Sequence, residues 1–103
     1  MALTNTRCLF VRRPVGEATP DCFSVESEEL DELPDGLVRV GVEYISVEAG
    51  TRTMLQGEGF HQQVPLGHPV LGLGVGRIVE SAADGWSVGE AVRGGLDAQT
   101  VAT

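Results

Sequence analysis

GHPVLGLGVGRIVESAADGWSVGEAV, residues 67–92, decides the fold of this chain. Its first half combines glycines with branched apolar residues, a composition that disfavours a helix and favours a strand. The glycines of residues 72–76, GLGVG, indicate a strand that bends sharply or that another backbone approaches closely. Turns are predicted at residues 83–85 and 89–90, and an apolar strand follows the second one. This stretch therefore predicts a curved β-structure.

Three further strands are predicted upstream. Residues 7–13 alternate weakly between apolar and polar side chains, and residues 22–28 alternate cleanly. Residues 37–46 alternate strictly after the turn signal Pro34-Asp35-Gly36, and they form the strongest strand in the chain. One face of this strand is predicted to be apolar and to contribute to the core, with Val38, Val40, Val42 and Tyr44. The opposite face holds Arg39, Gly41 and Glu43.

The rest of the chain adds little helix. Residues 49–56 are predicted to form one short helical turn that ends at Gly57, and a polar loop follows. A final strand is predicted over residues 92–95, with Ala98 and Val101. Short strands, frequent turns and almost no helix indicate a mainly β fold, a partly open β-barrel with one short helical turn. At 103 residues the chain is expected to be a single domain, residues 1–103.

Composition restricts the partners and the location of the protein. The formal net charge is −8, and every basic residue apart from the two histidines is an arginine. Nucleic acid and anionic membranes both require a basic face, so neither is an expected partner. The sequence has neither a signal peptide pattern nor an apolar run long enough for a membrane helix, which predicts a cytoplasmic protein. In that compartment Cys8 and Cys22 are expected to be free thiols, although a disulfide between neighbouring strands is conceivable.

Several motifs, in order, resemble a known family. VGRIVES at residues 75–81 and WSVGEAV at residues 86–92 are similar to the end of the N-terminal domain of medium-chain dehydrogenases/reductases. The resemblance extends back through residues 44–48, YISVE, and residues 12–16, RRPVG, to Phe10, so it covers nearly the whole chain. The branch it resembles most is the zinc-independent, NADP-dependent double-bond reductases of the leukotriene/prostaglandin reductase type. This resemblance implies the GroES-like fold.

The same resemblance implies a substrate cleft at the loop after the long strand. Where the family reads roughly LSVDPYMR, residues 45–52 read ISVEAGTR. Ser46, Val47 and Arg52 match the family pattern, whereas the aromatic residue that lines the family's substrate pocket falls on Gly50 and is lost. That departure either opens space in the pocket or marks a site with altered chemistry.

Candidate site residues are placed near this cleft by the resemblance. The candidates for catalysis are Glu48, Arg52 and His61, since a histidine near a carboxylate supports acid–base chemistry and an arginine holds an anion or enolate oxygen. The candidates for substrate binding are Tyr44, Gly50, Met54, Phe60 and His68. The alternatives are structural: Glu48 and Arg52 would pair with each other on a helical turn, and Tyr44 would pack in the core.

Neither a nucleotide site nor a metal site is predicted. Residues 72–76 do not form G-x-G-x-x-G, and no helix pattern follows them, so the glycines are interpreted as structural. Gly67-His68 resembles the Gly-His-Glu of zinc-dependent relatives, but Pro69 replaces the glutamate and no cysteine lies between Ser46 and His68. No cofactor is therefore expected in this chain, and NADPH is expected only with a Rossmann-domain partner.

Three functions remain open. The first is the substrate-side domain of an NADP-dependent oxidoreductase completed by a separate cofactor domain, which predicts an exposed apolar surface. The second is a free-standing relative that binds or converts a small organic molecule in a biosynthetic pathway without redox chemistry, by cyclisation or isomerisation; the loss of the aromatic at Gly50 favours it. The third is a non-catalytic domain that docks on a larger enzyme. The expected partners are a small-molecule ligand and either a second copy or a partner enzyme chain.

Overall fold

The computed structural model describes residues 3–47, 55 and 64–103, which form two antiparallel sheets. Seven strands are present: β1 (Thr4–Phe10), β2 (Phe23–Glu29), β3 (Val38–Ile45), β4 (His68–Pro69), β5 (Gly74–Ser81), β6 (Ala91–Gly94) and β7 (Val101–Ala102). The first sheet has the order β2-β1-β4, and the second has the order β6-β5-β3-β7. The predicted mainly β class is confirmed.

The C-terminal segment joins the two sheets. Gln99 forms an isolated antiparallel bridge with Arg7 of β1, and the amide of Thr100 donates to the Thr6 carbonyl at 2.9 Å. The Thr100 carbonyl in turn accepts a bond from the Val42 amide of β3 at 2.9 Å, and β7 then pairs with β3. The two sheets therefore curve around a shared interior without closing, which agrees with the expected partly open GroES-like barrel.

Helical structure is limited in the described residues. A 3-10 helix, Pro20–Cys22, precedes β2 where the sequence predicted only a loop. A hydrogen bond from the Thr19 hydroxyl is the main cause that lowers the pKa of Asp21. Desolvation opposes this shift, and the charge of Arg12 lowers the pKa further. Of the helical turn predicted over residues 49–56, only Leu55 is described, and it has helical backbone and is buried.

The glycines of β5 lie where the neighbouring strand comes close. A Cβ on Gly74 would lie 2.6 Å from the carbonyl oxygen of Tyr44, and a Cβ on Gly76 would overlap the Gly41 carbonyl. No side chain fits at either position while β3 keeps its place. The close backbone approach predicted for this stretch is confirmed.

The turns predicted before β3 and after β5 also form. Gly36 has a φ of +83°, and the Leu37 amide donates to the Pro34 carbonyl at 3.3 Å, which closes the turn before β3. Gly85 and Gly89 have φ values of +85° and +96° in the connection between β5 and β6. Glycine adopts this left-handed conformation without the strain that a side chain would add.

One core cluster lies under the first sheet. Its fully buried members are Phe10, Cys22, Leu55 and Val64, and Phe23, Val70 and Leu71 pack against them. The rings of Phe10 and Phe23 have their centroids 6.1 Å apart, a distance typical of tilted aromatic pairs. The guanidinium of Arg13 lies 5.1 Å from the centre of the Phe10 ring and donates to the Leu55 carbonyl at 3.0 Å. These contacts hold β1 and β2 against the rest of the fold.

Two irregularities in the pairing of β3 with β5 change which side chains are buried. Between the pairs Val42↔Gly76 and Tyr44↔Val75, β3 contains one extra residue, Glu43. Because a strand alternates faces with each residue, this bulge turns Tyr44 to the outside. The core position predicted for Tyr44 is wrong, since the residue is 74% exposed.

The second irregularity buries an arginine. β5 contains one extra residue between the pairs Arg39↔Glu80 and Val40↔Ile78. Arg39, placed by the sequence pattern opposite the apolar face, is only 5% exposed, and it donates to Glu80 at 2.8 Å and to the Asp31 carbonyl. Val40 is buried as predicted, whereas Val38 and Val42 are half-buried. At this end of the strand, the irregularity therefore buries a residue that the alternating pattern places opposite the apolar face, and Arg39 is held there by its ion pair with Glu80.

The two cysteines are not neighbours across a strand pair. Cys8 of β1 is opposite Val25, and Cys22 lies fully buried before β2 begins. Both thiols are free, in agreement with the expectation from the sequence.

Candidate functional site

An open groove lies at the end of the second sheet where β3, β5 and β6 meet. Its volume is about 590 Å³, within the range of small-molecule sites. We name it the Tyr44 groove; it is lined by Tyr44, Ile45, Ser46, Leu73, Gly74, Val75, Arg93 and Gly94. β3 ends at this groove and leads into residues 45–52, where the resemblance implied a substrate cleft.

Three side chains form one row across the base of the groove. Val75 of β5 is opposite Tyr44 of β3 and also opposite Arg93 of β6. Residues directly opposite in an antiparallel pair share a face of the sheet, so all three side chains point the same way. Neighbouring strands are about 5 Å apart, which places Tyr44 and Arg93 about 10 Å apart on either side of Val75. An aromatic ring, an apolar surface and a guanidinium are thus presented together.

Large apolar side chains in and beside the groove are exposed to solvent. Tyr44 is 74% exposed, and Leu73 is 63% exposed. Val47, the second residue after β3, is also largely exposed. Exposed apolar residues that lie together, unlike ones scattered singly, mark a surface that binds a ligand or another protein surface. An exposed apolar surface is what the first of the three functions predicted.

The charges in the groove are unusual for this protein. None of the described residues that line it is acidic, although the chain has fifteen acidic residues. Arg93 supplies a positive charge, and within the described part of the chain it has no hydrogen bond or ion pair. The other described arginines all contact an acceptor or a ring: Arg7, Arg12, Arg13, Arg39 and Arg77.

A second groove, of about 520 Å³, lies between β1 and the C-terminal segment. It is more polar, and His68, Arg7, Glu28 and Gln99 are among the residues that line it. Two of its polar side chains have partners in the fold: Arg7 lies 3.4 Å from Glu28, and Nδ1 of His68 donates to the Pro69 carbonyl at 2.7 Å. Nε of Arg7, however, is buried without a hydrogen-bond partner among the described residues. We refer to it as the His68 groove.

The structure separates the two candidate substrate-binding residues that it describes. Tyr44 lines the Tyr44 groove and His68 lines the His68 groove. The remaining candidates lie outside the described residues: Glu48, Gly50, Arg52, Met54, Phe60 and His61. The roles assigned to these residues stay predictions.

Residues that the sequence reasoning missed form most of the Tyr44 groove. Leu73, Val75 and Arg93 belong to stretches that were interpreted as structural, and only the cross-strand register brings them beside Tyr44. Asn5 was missed as a structural residue. It is 3% exposed, donates to Gln99 at 2.9 Å and accepts a bond from the Val101 amide at 3.0 Å, so it ties β1 to the C-terminal segment.

Neither a metal cluster nor a membrane span occurs in the described part of the chain. Its histidines, cysteines and acids do not come together in a group of three that could hold a metal ion. None of its helices has the length and apolar composition needed to cross a membrane.

Comparison with known proteins decides the family. The profile described as "N-terminal domain of oxidoreductase" matches residues 6–103. The chain belongs to this family. The resemblance to the GroES-like N-terminal domain of medium-chain dehydrogenases/reductases is thereby confirmed. Among curated proteins, none matches this chain.

Solved structures show the same fold. CurA from Vibrio vulnificus superposes with a TM-score of 0.81 at 20% identity, covering 94% of this chain and 30% of the CurA chain. A structure of CurA in complex with NADPH, from the same organism, gives a TM-score of 0.73 at 19% identity, covering 93% of this chain and 29% of that one. This oxidoreductase domain therefore spans about 30% of the length of the CurA chain.

Proposed function

We propose that this domain is the substrate side of an NADP-dependent oxidoreductase and that the Tyr44 groove holds the small-molecule substrate. The observation that carries the proposal is the exposed apolar surface of Tyr44, Leu73 and Val75 at the end of β3 and β5. In a domain of an oxidoreductase family, such a surface is suited to be covered by a substrate and by the domain that presents the cofactor.

The reductant is assigned to a separate domain. These 103 residues contain no G-x-G-x-x-G, the glycine turn that brings a dinucleotide pyrophosphate to a helix N-terminus. CurA was solved in complex with NADPH, and this chain covers 29% of that protein. NADPH would bind to a cofactor domain, on the same longer polypeptide or on another chain, and would supply hydride to a substrate held in the groove.

The part played by the described residues is binding and orientation. Tyr44 offers an aromatic face and a phenol hydroxyl, and Val75 and Leu73 offer an apolar surface that excludes water from one side of a ligand. The candidates for proton transfer, Glu48 and His61, follow β3 in the sequence and keep the roles that the resemblance implied.

A second candidate function is supported by one sequence observation. Gly50 occupies the position of the family's pocket aromatic, so the pocket of this chain differs from that of an ordinary double-bond reductase. This favours binding, isomerisation or cyclisation of a small biosynthetic molecule without redox chemistry. It predicts that the protein alone converts its ligand into an isomer of the same mass.

The test is calorimetric titration of the 103-residue protein with NADPH and, separately, with the neutral enone trans-4-phenyl-3-buten-2-one. We expect saturable enone binding and no NADPH binding, because an apolar groove is present and a pyrophosphate cradle is not. Stoichiometric NADPH binding, or no enone binding by folded protein, would contradict the proposal. Conversion of the enone to an isomer in the absence of NADPH, followed by NMR, would favour the second candidate.

A further inference from the structure

We infer that the ligand of the Tyr44 groove is an organic anion with a planar apolar body, and that Arg93 pairs with its anionic group. This deepens the proposed function, because it rests on the groove being the small-molecule site. The inference comes from three features that the described residues present on one exposed face of the second sheet: a ring, an apolar surface and a cation without a partner among those residues.

The first feature is the charge of Arg93. It projects from β6 into a groove whose other described lining residues carry no charge. An arginine with no partner in the described structure keeps its whole planar set of donors for a ligand, and a carboxylate accepts two of them side by side. The protein as a whole is acidic, at −8, so a cation at this place is a local exception.

The second feature limits the ligand to one anionic group. Arg77 is two residues from Val75 on β5 and shares its exposed face, but its guanidinium donates to the Gly89 carbonyl at 3.1 Å. Arg77 does not line the groove. A single available guanidinium suits a monocarboxylate better than a polyanion, which draws its affinity from several cations at once.

The third feature is the distance between Tyr44 and Arg93 in the row of side chains that they form with Val75. Tyr44 and Arg93 lie on either side of Val75, about 10 Å apart at the level of the backbone. A flat molecule that packs on Val75 and against the Tyr44 ring can extend an acidic substituent to Arg93. Packing on an aromatic ring favours a planar, conjugated body over a branched aliphatic one.

Arg93 also has a simpler explanation, since β6 is at the edge of its sheet. A charged side chain on an edge strand discourages pairing with the edge of another sheet. This explanation predicts that loss of the charge promotes self-association and leaves ligand preference unchanged. The two explanations therefore differ in a measurable way.

The experiment compares trans-cinnamate with its neutral isostere trans-cinnamamide by NMR titration of ¹⁵N-labelled protein at pH 7 and low salt. We expect cinnamate to bind about fivefold more tightly than cinnamamide, as one charge-assisted pair in an open groove allows. R93Q should abolish that preference by weakening cinnamate binding more than cinnamamide binding. R77Q, which removes an arginine from the same face outside the groove, should keep it. Added salt should reduce the preference in the unaltered protein.

The possible results distinguish failure of this inference from failure of the proposed function. Equal binding of both compounds in the groove would overturn the inference and leave the proposed function standing. The inference would also be overturned if R93Q still bound cinnamate more tightly than cinnamamide. Self-association of R93Q with this preference intact would support the edge-strand explanation instead. If neither compound shifts the amide signals of Leu73, Val75 and Gly94, both the inference and the proposed function fail.

Discussion

Tyr44 is the residue whose orientation matters most for the proposed function of this protein. Its position in an alternating pattern places it in the core, yet the bulge at Glu43 turns it outward into the groove. Val40, four residues earlier on the same strand, is buried at 5% exposure. The two side chains therefore occupy opposite environments, although the sequence pattern places them on the same face.

Replacing these two residues should have very different effects on stability. Tyr44→Thr keeps a good strand former and should change the free energy of unfolding by less than about 0.5 kcal/mol. Val40→Ala should cost about 2 kcal/mol, because it removes buried apolar atoms. Urea unfolding of both variants measures this difference. A cost for Tyr44→Thr equal to that of Val40→Ala would place the tyrosine in the core.

Arg39 and Glu80 form a pair with unequal burial. The Arg39 side chain is 6% exposed and Glu80 is 43% exposed, with 2.8 Å between their charged atoms. Because water can solvate Glu80 but not Arg39, removing the carboxylate should be more harmful than removing the guanidinium. Local sequence patterns give no sign of this pair, because Arg39 was predicted only to lie opposite the apolar face of its strand and Glu80 is 41 positions away.

Glu80→Leu should therefore destabilise the protein more than Arg39→Met does, by about 1–3 kcal/mol in the free energy of unfolding. Arg39→Met retains much of the buried apolar stem and leaves only a carboxylate that water reaches. Thermal unfolding of the two single variants and the double variant provides the comparison. If Arg39→Met is the more damaging change, the packing of the arginine stem outweighs its charge.

At the level of secondary-structure elements, the pairing of β3 with β5 organises both the fold and the groove. Gly76 is buried on β5, and a Cβ there would overlap the Gly41 carbonyl of β3. Gly94 of β6 has open space around the corresponding position and an ordinary φ. The two glycines thus offer a matched test of whether close strand approach is required.

Gly76→Ala should destabilise the protein by about 1–3 kcal/mol, in the range of other overpacked sites. Gly94→Ala, the control, should be within about 0.5 kcal/mol of the unaltered protein. Denaturant midpoints at constant m-value measure both effects. Equal midpoints for the two variants would show that β3 moves away at little cost and that Gly76 does not set the strand spacing.

The strands and turns also show which parts of the fold can be predicted from the sequence. Local signals were sufficient for the turns at Gly36 and Gly85 and for the approximate bounds of β3 and β5, because turn residues and alternation act over a few positions. They were not sufficient for the bulge at Glu43, because a bulge depends on the partner strand as well. An alternating pattern read alone therefore placed Tyr44 on the wrong face.

The Tyr44 groove also could not be predicted from local sequence patterns. Arg93 lies eighteen positions after Val75 in the sequence, and only the pairing of β6 with β5 makes them neighbours. Tyr44 was identified as a substrate-binding candidate through family resemblance, which carries information about three-dimensional position that spacing lacks. The candidates between Glu48 and His61 fall in stretches outside the described residues, so their roles still rest on resemblance.

At the level of the whole molecule, the two open grooves described above are both candidates for the substrate-binding site. The Tyr44 groove has apolar walls and a cation without a partner among the described residues, whereas the His68 groove is more polar. Burial of an apolar ligand gains more free energy on the exposed apolar surface of the Tyr44 groove than in the polar His68 groove. We therefore propose that the substrate binds in the Tyr44 groove.

The most direct measurement is a map of amide shifts in ¹⁵N-labelled 103-residue protein during titration with trans-4-phenyl-3-buten-2-one. We expect saturable shifts that are largest at Leu73, Val75 and Gly94, which line the Tyr44 groove. Shifts that are largest at Arg7 and Gln99 would place the ligand in the His68 groove and contradict the proposed function. The absence of any saturable shift would contradict it as well.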